Sequence, residues 1–558
     1  MDALQYNIAG EGYDEAGRRY FQIEIGGSEL LTFAADTLLA ESGELFKALA
    51  NAGVNCFSPK SRTGIINAFQ SFTAEKPSFR VATKLGSFHK QYVLPDKVYG
   101  SSSNLPTVVV LDGLDPAMVS KYRTAGTPEE WQSSIAALCD GNSRLMFALS
   151  LAFTGPTLPY VKGPRTGGFQ LSGPAEAGKS TVASLAGSVW GCHVGAERKE
   201  KGFSETWHTT AGKVELTALA HNETILILDE TQRAGRNARQ RTEVISDVVF
   251  SLAEGNERER LTNTRSARAW RLYYLSTSNL TFSELARAGG IEIDDAYLGR
   301  LFDIPCPDGP HGIYDTIHDF PDGEHLTDAL KQGCRRYFGT AGREFLSRLQ
   351  KDRNDDLVAL KKVLSKYRAR YRKAAAEAIE NEHLSSLTRT SSRFATVFAA
   401  GRLAIEYGIL PWSKKALLKA ILECQLAGLR QLTREPRGGE PTEAALRAKL
   451  IGYLREAGGS FVDLGERRPR LGSVGLEDAA GYVGTDNEAG WFYLTDKRVN
   501  AIIGKNPSAI SLKRRLFTEN LMAKPKQGFV VQRKIFRGGK GNKNFAWVCA
   551  FNPAIVGS

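Results

Sequence analysis

Hydrophobic and polar positions follow different periods in different regions of the chain. Between Phe169 and about Pro305, short apolar runs that end in polar clusters alternate with helical patterns. Strands that alternate with helices are typical of a parallel sheet covered by helices. The pattern therefore predicts an α/β core in the middle of the chain.

A smaller α/β region and a helical connector are predicted before this core. Strand-like runs lie at 20–25, 92–94 and 107–111, and helical stretches lie near 38–52 and 142–153. Thr127, Pro128 and Glu130 have the spacing of a capping residue, a first-turn proline and the acid of a capping box. A helix is therefore expected to begin at Pro128 and to run through Cys139.

Helices and then a mixed segment are predicted after the core. Charged amphipathic helices are expected at 355–382, 392–407 and 414–432, and residues 434–441 have the Gly, Pro and charge content of a linker. A last helix is expected at 508–521, and two strands at 528–536 and 544–551 with a glycine-rich turn between them. This order of a helix and a basic hairpin predicts a winged-helix-like domain.

Length and composition fit a folded protein of several domains. The 558 residues exceed the usual size of one domain, and 42% hydrophobic and 24% charged residues are typical of globular proteins. The seven cysteines include no CxxC pair, which fits a reducing compartment and excludes a disulfide framework or a zinc ribbon. Glycine and prolines interrupt the longest mainly apolar stretch, 146–161, and the first residues lack an apolar run. We therefore expect a cytoplasmic protein without a membrane-spanning segment.

Positive charge is concentrated at one end of the chain. Lys and Arg number 73 against 61 Asp and Glu, which gives a net charge of +12. Residues 505–558 contain eleven basic residues and one acid, so ten of the twelve excess charges lie there. This distribution predicts a polyanionic partner that binds the C-terminal segment.

The segment from Gly173 to Ser180 has the spacing of a phosphate-binding loop, G-x-x-x-x-G-K-S, between a predicted strand and a predicted helix. In such loops backbone N–H groups surround phosphates, the Lys179 ammonium reaches the β- and γ-phosphates, and the Ser180 hydroxyl binds Mg²⁺. The alternative is a chance glycine turn, which the flanking strand and helix argue against. ATP and Mg²⁺ are the expected ligands, and the predicted nucleotide-binding residues are Gly173, Pro174, Ala175, Glu176, Ala177, Gly178, Lys179, Ser180 and Thr181.

Two acids follow the apolar run 224–228, as expected of a buried strand that delivers carboxylates to the carboxyl edge of the sheet. Asp229 is predicted to complete the Mg²⁺ site with Ser180, and Glu230 to orient and activate the attacking water. The alternative is a solvated acidic turn after a core strand. The phosphate loop upstream favours the catalytic interpretation.

Two further residues are candidates for catalysis. A third apolar run, 270–279, ends in a polar cluster, and Asn279 is expected to reach the γ-phosphate or the water. Arg300 opens another apolar turn and is predicted to act as a finger on the nucleotide of a neighbouring subunit. The alternative for Arg300 is a surface ion pair.

The order of these motifs resembles that of AAA+ ATPases, with Asn279 as sensor 1 and Arg300 as finger. More specifically, the chain resembles the domain-of-unknown-function family numbered nine hundred and twenty-seven over about residues 80–420. The segments that carry this resemblance are 168–173, 186–191, 226–230, 270–276 and 394–412. Some members of that family are similar to the minichromosome-maintenance-like helicases of cassette chromosomes.

The resemblance implies a ring, expected to be a hexamer, that translocates on DNA. It also makes Arg393 the sensor 2 candidate, with a helix-surface arginine as the equal alternative. Family members often have Gly-Glu after the serine and threonine of the sensor strand, whereas here Thr277-Ser278-Asn279 is nearer the general AAA+ form.

Two basic segments are predicted to bind DNA. Helicases of the minichromosome-maintenance kind carry a channel hairpin at the position of residues 254–268, so Arg258, Arg260 and Arg265 are expected to contact phosphates. In the C-terminal segment, the predicted DNA contacts are Lys513, Arg514 and Arg515 on the helix and Lys540 and Lys543 on the hairpin. The alternatives are a solvated loop with salt bridges between subunits, and a basic but purely structural C-terminal subdomain.

The expected fold class is α/β, with an AAA+ P-loop ATPase core, a helical lid, an N-terminal α/β region and a C-terminal winged-helix-like domain. The predicted domains are an N-terminal region at 1–125, a helical connector at 126–165, the ATPase core at 166–310, the lid and appendage at 311–435, and the basic domain at 442–558. The expected function is ATP-dependent translocation on, or unwinding of, single-stranded or forked DNA in the replication of a phage or mobile element, with a primase or an initiator as a candidate partner. Two alternatives stay open, namely an ATP-switched initiator or helicase loader and a defence or regulatory ATPase that acts on protein.

Overall fold

The computed structural model of the chain has a mixed α/β fold. It describes residues 6–39, 43–101, 105–111, 114, 120–192, 202–208, 210–257, 268–291, 297, 299–307, 309–382, 388–434, 443–457, 460–464, 480–504, 507–525, 528–534 and 545–557. The chain divides into two compact units, residues 1–435 and residues 436–558. None of the helices formed by the described residues combines the length and the apolar character needed to cross a membrane.

Two small sheets form the amino-terminal part of the first unit. Their strands are β1 (Tyr6–Tyr13), β2 (Arg19–Ile25), β3 (Glu29–Ala34), β4 (Phe79–Ala82), β5 (Gly86–Phe88), β6 (Gln91–Val93), β7 (Val98–Tyr99) and β8 (Thr107–Val109). The first sheet has the order β3-β2-β1-β4-β8, and the second has the antiparallel order β5-β6-β7. Helices α1 (Glu44–Asn51) and α2 (Pro59–Ser71) contribute Leu49 and Phe69 to a core that includes Phe21 of β2.

The centre of the first unit is a parallel sheet of five strands. They are β9 (Thr166–Ser172), β10 (Glu205–Thr206), β11 (Ile225–Asp229), β12 (Leu272–Ser278) and β13 (Leu301–Pro305), in the order β10-β11-β12-β9-β13. All seven residues of β12 are buried, as expected where helices cover both faces of a parallel sheet. Strand β12 thus lies between β9 and β11, although it follows both of them in the sequence.

Helices cover both faces of this sheet. They are α3 (Pro128–Trp131), α4 (Ser143–Ala152), α5 (Lys179–Ser188), α6 (Ala211–Ala220), α7 (Ala238–Glu254), α8 (Phe282–Ala288), α9 (Gly323–Arg336), α10 (Thr340–Asn381), α11 (Thr388–Glu406) and α12 (Lys414–Arg434). Strand residues alternate between the two faces, so Tyr273 joins the core with α4, α5, α11 and α12, whereas Tyr274 joins the core with α6, α7 and α8.

Local signals in the sequence explain where several of these elements begin. Thr127 Oγ1 accepts a hydrogen bond from the Glu130 amide at 3.2 Å, and the Glu130 carboxylate accepts one from the Thr127 amide at 2.8 Å. The predicted capping box is therefore confirmed. All ten residues of α4 are buried, which explains why apolar side chains occur on every side of the helix, and the buried Arg144 donates to the Pro305 carbonyl.

Within its described residues, the second unit combines three α-helices with one sheet. Its elements are α13 (Glu443–Ala457), β14 (Val462–Asp463), β15 (Tyr482–Val483), β16 (Phe492–Thr495), α14 (Asp496–Ile503), α15 (Pro507–Thr518), β17 (Val531–Lys534) and β18 (Phe545–Phe551). The strand order is β14-β15-β16-β18-β17, and β17 pairs with β18 in the antiparallel sense. Leu450, Leu512 and Phe551 join the helices and the sheet in one core. The helix and the two strands predicted near the C-terminus are present.

A buried carboxylate links the β5-β6-β7 sheet to the central sheet. Glu223, only 1% exposed in its side chain, precedes β11, and its Oε2 accepts hydrogen bonds from the amide and the hydroxyl of Ser87 at 2.8 and 2.7 Å. Arg271 pairs with its other carboxylate oxygen, and the Tyr92 hydroxyl donates to its carbonyl at 2.6 Å. One side chain therefore satisfies polar groups of both sheets.

Replacement of Glu223 by Ala is expected to destabilise the first unit by about 3 kcal/mol, because it leaves the Arg271 guanidinium and the Ser87 amide without their acceptor. The free energy of unfolding in urea measures this loss. Glu243→Ala is the control, since Glu243 pairs with Arg239 on an exposed helix face and is expected to contribute less than about 0.5 kcal/mol. Equal free energies of unfolding for the two variants would contradict the proposed linking role.

Candidate functional site

Three neighbouring strands of the central sheet end in polar residues at the same edge. Ser172 ends β9, Asp229 ends β11 and Ser278 ends β12, and Ser278 is the register partner of Ser172. In parallel sheets ligands bind beyond the carboxyl ends of the strands, where neighbouring connections diverge. This edge is therefore the first place to look for a ligand site.

The predicted phosphate loop connects β9 to α5 at this edge. Gly178 has a φ of 100°, and a Cβ there would lie 2.7 Å from Ile313 Cγ2, so this position requires glycine. Glu176 also adopts a left-handed conformation, with a φ of 63°. Helix α5 begins directly after the loop, and the positive end of its dipole faces this edge. The left-handed residues and the following helix N-terminus fit the predicted phosphate-binding loop.

The Lys179 side chain lies over the loop. Its Nζ donates hydrogen bonds to the carbonyl oxygens of Gly173, at 2.9 Å, and Pro174. The residue is 8% exposed, and burial lowers the pKa of its ammonium while the Asp229 carboxylate opposes that shift. A cation thus lies among the loop atoms that would surround a phosphate.

Ser180 and Asp229 meet across the edge of the sheet. The Ser180 hydroxyl lies 3.4 Å from Asp229 Oδ1, which also accepts a hydrogen bond from the Thr277 hydroxyl. A hydroxyl and a carboxylate are hard oxygen donors of the kind that Mg²⁺ prefers. These two residues fit the predicted metal site, with Thr277 fixing the orientation of the carboxylate.

Glu230 is half exposed beside this pair. Its φ of 62° is left-handed, and its amide donates a hydrogen bond to Thr277 Oγ1 at 2.9 Å. Its carboxylate lies 3.2 Å from the Arg233 guanidinium, and both side chains are at least half exposed. Thr277 therefore contacts both acids, since it donates to Asp229 and accepts from Glu230.

Asn279 follows β12 directly and is exposed. The Gly173 amide donates to the carbonyl of Ser278 at 3.3 Å, so Asn279 begins beside the start of the phosphate loop. The remaining predicted loop residues differ in exposure. Pro174, Ala175 and Glu176 are exposed, the Ala177 carbonyl accepts from the Ile313 amide at 2.8 Å, and Thr181 is buried.

Arg300 and Arg393 lie at the opposite, amino edge of the sheet. Arg393 Nη1 donates hydrogen bonds to the carbonyls of Gly168, at 3.1 Å, and Arg300, at 2.8 Å. Gly168 is four residues from the end of β9, which is about 13 Å along the strand. The structure therefore does not bring Arg393 to the phosphate loop of its own chain. It corrects the alternative of a helix-surface arginine, because Arg393 is 1% exposed.

The predicted DNA contacts Arg258, Arg260 and Arg265 lie outside the described residues. The two ends of their segment are described and run antiparallel, with a bridge between Asn256 and Ala269. The Glu257 amide donates to the Arg268 carbonyl at 2.9 Å, and their side chains form an ion pair. The described residues on either side of this segment thus form a short antiparallel pair.

The basic residues of α15 are not equivalent. Lys513 is 4% exposed, and its Nζ contacts Asp496 at 3.3 Å and Asn500 at 3.0 Å, so it holds α14 against α15. This corrects the expectation that Lys513 binds DNA. Arg514 is exposed, and Arg515 is exposed but pairs with Glu519 and Glu443. Lys540 and Lys543 lie outside the described residues.

Sequence reasoning did not identify two features of the site. They are the hydrogen bonds of Thr277 to both acids, and the packing of residues 309–314 against the phosphate loop. Thr277 was visible only as one of three polar residues at the end of an apolar run. The Ile313 side chain packs against Gly178, and the Tyr314 hydroxyl lies 2.6 Å from that of Thr327. No local motif marks residues 309–314, because their contacts with the loop are long-range.

Comparison with known proteins gives two main findings. A family model described as "Domain of unknown function (DUF927)" matches residues 8–271. A solved structure titled "SCCmec type IV Cch - active helicase" matches with a TM-score of 0.60 at 14% sequence identity, covering 100% of this chain and 95% of that chain. At this identity the likeness concerns the fold.

A second solved structure has a much weaker likeness. It is titled "The A form apo structure of NrS-1 C terminal region-CTR(305-718)", and it has a TM-score of 0.24 at 12% identity over 74% of this chain and 90% of that chain. This score is too low to support an argument. No curated protein matches the sequence. The family resemblance predicted from the sequence is confirmed, although its extent differs: residues 8–271 match the DUF927 family, whereas about residues 80–420 were predicted. The fold is similar to that of a structure titled as an active helicase.

Proposed function

We propose that this chain is an AAA+ ATPase that uses magnesium and ATP to move along or unwind DNA. The observation that carries the proposal is the convergence of Lys179, Ser180 and Asp229 at the carboxyl edge of the central sheet. A loop rich in N–H groups, a lysine and a hydroxyl–carboxylate pair are the groups that bind and polarise a nucleoside triphosphate.

In the proposed mechanism each residue has a separate task. The loop amides and Lys179 hold the phosphates, and Lys179 offsets the negative charge that develops on them. Bound Mg²⁺, held by Ser180 and Asp229, would supply positive charge to the phosphate oxygens. Glu230 orients a water and accepts its proton, and Thr277 fixes the backbone of Glu230 relative to Asp229. Asn279 contacts the γ-phosphate or the water from the neighbouring strand.

The proposed site is completed by a second subunit of a ring, expected to be a hexamer. Arg300 lies at the edge opposite its own phosphate loop, so it can reach a nucleotide only on another copy of the chain. An arginine supplied in this way stabilises charge in the transition state. The fold likeness to a structure titled as an active helicase supports a helicase function for the proposed ring.

DNA is the proposed partner. The hairpin base at Asn256 and Ala269 supports a channel hairpin that carries Arg258, Arg260 and Arg265. In the second unit, α15 followed by the antiparallel pair β17–β18 supports a winged-helix-like domain, with Arg514 on its exposed surface. Displacement of a strand from a forked DNA substrate distinguishes a helicase from an initiator or loader that uses ATP only for assembly.

Lys179→Ala is expected to weaken ATP binding at least tenfold, about 1.4 kcal/mol, because it removes the cation that lies over the loop. Binding of a fluorescent ATP analogue measures this loss.

Glu230→Gln is expected to retain ATP binding and to lower kcat at least about a hundredfold, because an amide cannot accept the proton of the water. Release of phosphate measures the loss of turnover.

Lys331→Ala is the matched control for Lys179→Ala, since Lys331 is exposed on α9. ATP binding by Lys179→Ala at the affinity of the parent would remove the basis of the proposed ATPase. If the parent hydrolyses ATP without stimulation by DNA, a protein partner becomes the better interpretation.

Thr277→Val is expected to lower kcat about tenfold or more and to lower the free energy of unfolding by about 1–2 kcal/mol, because the valine keeps the shape of the side chain but loses both hydrogen bonds to the acids. Thr277→Ser keeps the hydroxyl and is expected to restore most of the rate. Phosphate release under saturating ATP measures this difference. Equal rates for the valine and serine variants would show that the hydroxyl has no part in the reaction.

Arg514→Glu is expected to weaken binding to duplex DNA and to lower the salt dependence of binding by about one counterion, because it replaces an exposed cation on the proposed recognition helix. Removal of the residues after Glu440 is expected to weaken binding further. Fluorescence anisotropy at several salt concentrations measures both effects. Lys366→Glu, on an exposed face of α10, is the charge-matched control, and an equal loss for that variant would argue against a specific surface on α15.

A further inference from the structure

A basic cavity of about 600 Å³ lies at the amino edge of the central sheet, opposite the phosphate loop. It is lined by the start of β9 at Arg165 and Thr166, by the residues before β12 and β13, and by Arg393 of α11. Gly255 and Trp270, at the base of the hairpin, form part of its wall. The sequence motifs give this cavity no role.

The lining of the cavity has a large excess of positive charge. Its cations are Lys84, Arg165, Arg271, Arg300 and Arg393, and its one carboxylate is Glu254. Arg271 is paired with Glu223, and Lys84 lies 3.4 Å from the exposed Glu15. Arg165 is exposed and has no carboxylate partner among the residues described. Arg165 is therefore available to an anionic ligand, and Lys84 is held only by an ion pair in which both side chains are exposed.

Arg393 gives the cavity a buried cation. The residue is 1% exposed, and within the described part of the chain neither Nε nor Nη2 has a hydrogen-bond partner. Its guanidinium is held by two backbone carbonyls and lies 5.3 Å from the ring centre of Phe169. Burial of a charge without a counter-ion costs several kcal/mol unless another group compensates it.

The absence of a side chain at Gly167 leaves space for the Arg393 guanidinium. Gly167 has a φ of 155°, and a Cβ at this position would lie 2.4 Å from Arg393 Nη1. A side chain larger than hydrogen at Gly167 would therefore occupy the space of the guanidinium, which donates to the carbonyls of Gly168 and Arg300. A glycine that makes room for a buried, incompletely bonded arginine indicates a built anion site rather than an accidental gap.

The position of the cavity favours a ligand that also contacts the hairpin. The described residues on either side of the segment 258–267, Gly255, Ala269 and Trp270, line the cavity, and the sequence of that segment contains Arg258, Arg260 and Arg265. A strand of DNA carries one phosphate per nucleotide, so it can occupy the cavity and the hairpin together. A free phosphate or a single nucleotide cannot.

We propose that this cavity binds a backbone phosphate of single-stranded DNA, with Arg165 and Lys84 at its entrance and Arg393 at its floor. The proposal rests on the proposed function, since it assumes a DNA strand at the hairpin. It adds a phosphate site at the amino edge of the sheet, about one strand length from the phosphate loop. Contacts to the backbone suit a protein that moves along DNA, because they carry no sequence information.

The test compares the full-length parent with the double variant Lys84→Glu and Arg165→Glu. Anisotropy of a labelled single-stranded oligonucleotide is expected to show at least a tenfold weaker affinity for the variant and a salt slope smaller by about one to two units. Lys361→Glu with Lys362→Glu is the control with the same charge change, on an exposed face of α10. This control is expected to lose less than threefold in affinity.

A chemically modified strand gives an independent measurement. An oligonucleotide with neutral methylphosphonate linkages at alternate positions is expected to bind the parent more weakly than the natural strand. The double variant is expected to lose most of this preference, because the cavity no longer attracts a charged linkage. Retention of the full preference by the double variant would overturn the proposal.

The remaining outcomes separate this proposal from the proposed function. Equal DNA affinities for the double variant and its control, with a parent that binds DNA, would overturn the cavity site and leave the proposed function intact. Failure of the parent to bind single-stranded DNA would overturn both. Normal DNA affinity with a loss of ATP hydrolysis, restored by mixing with Lys179→Ala subunits, would assign the cavity to a phosphate of a nucleotide on a second copy instead.

Discussion

The insertion of β12 between β9 and β11 is the constraint on which the candidate site depends. Because the three strands are parallel, their carboxyl ends meet at one edge, and the last residues of β12 lie between the phosphate loop and the acids. Thr277 can contact Asp229 and Glu230 together only from this position. A strand that followed β11 at the outside of the sheet would leave the acids without this hydroxyl.

The two edges of the sheet carry different chemistry. The carboxyl edge combines one lysine with hydroxyls and carboxylates, the groups that bind a magnesium nucleotide. The amino edge combines arginines with a single carboxylate in the cavity lining, an arrangement that attracts anions without a metal. Since Arg300 belongs to this second edge, a role at a nucleotide requires another copy of the chain.

Sequence reasoning was most successful where the chemistry depends on neighbouring residues. The phosphate loop, its strand and helix, and the capping box at Thr127 are contiguous patterns, and each element is present. Lys513 was assigned to a DNA-binding surface because charge in a sequence suggests exposure, and Arg393 was assigned from the family resemblance, with a helix-surface arginine as the alternative. Their burial depends on Asp496 and Asn500 of α14, and on the carbonyls of Gly168 and Arg300, which no local pattern reveals.

Strand β9 connects the two edges. It runs from Thr166 at the cavity to Ser172 before the phosphate loop, a length of about 20 Å, and it is hydrogen-bonded on both sides to parallel strands. Arg393 fixes the start of β9 by donating to the Gly168 carbonyl, and it donates at the same time to the carbonyl of Arg300, the residue before the adjacent β13. A ligand that completes the bonding of Arg393 would therefore stabilise the backbone that holds Arg300. Binding at the amino edge and the placement of the proposed finger thus depend on the same guanidinium.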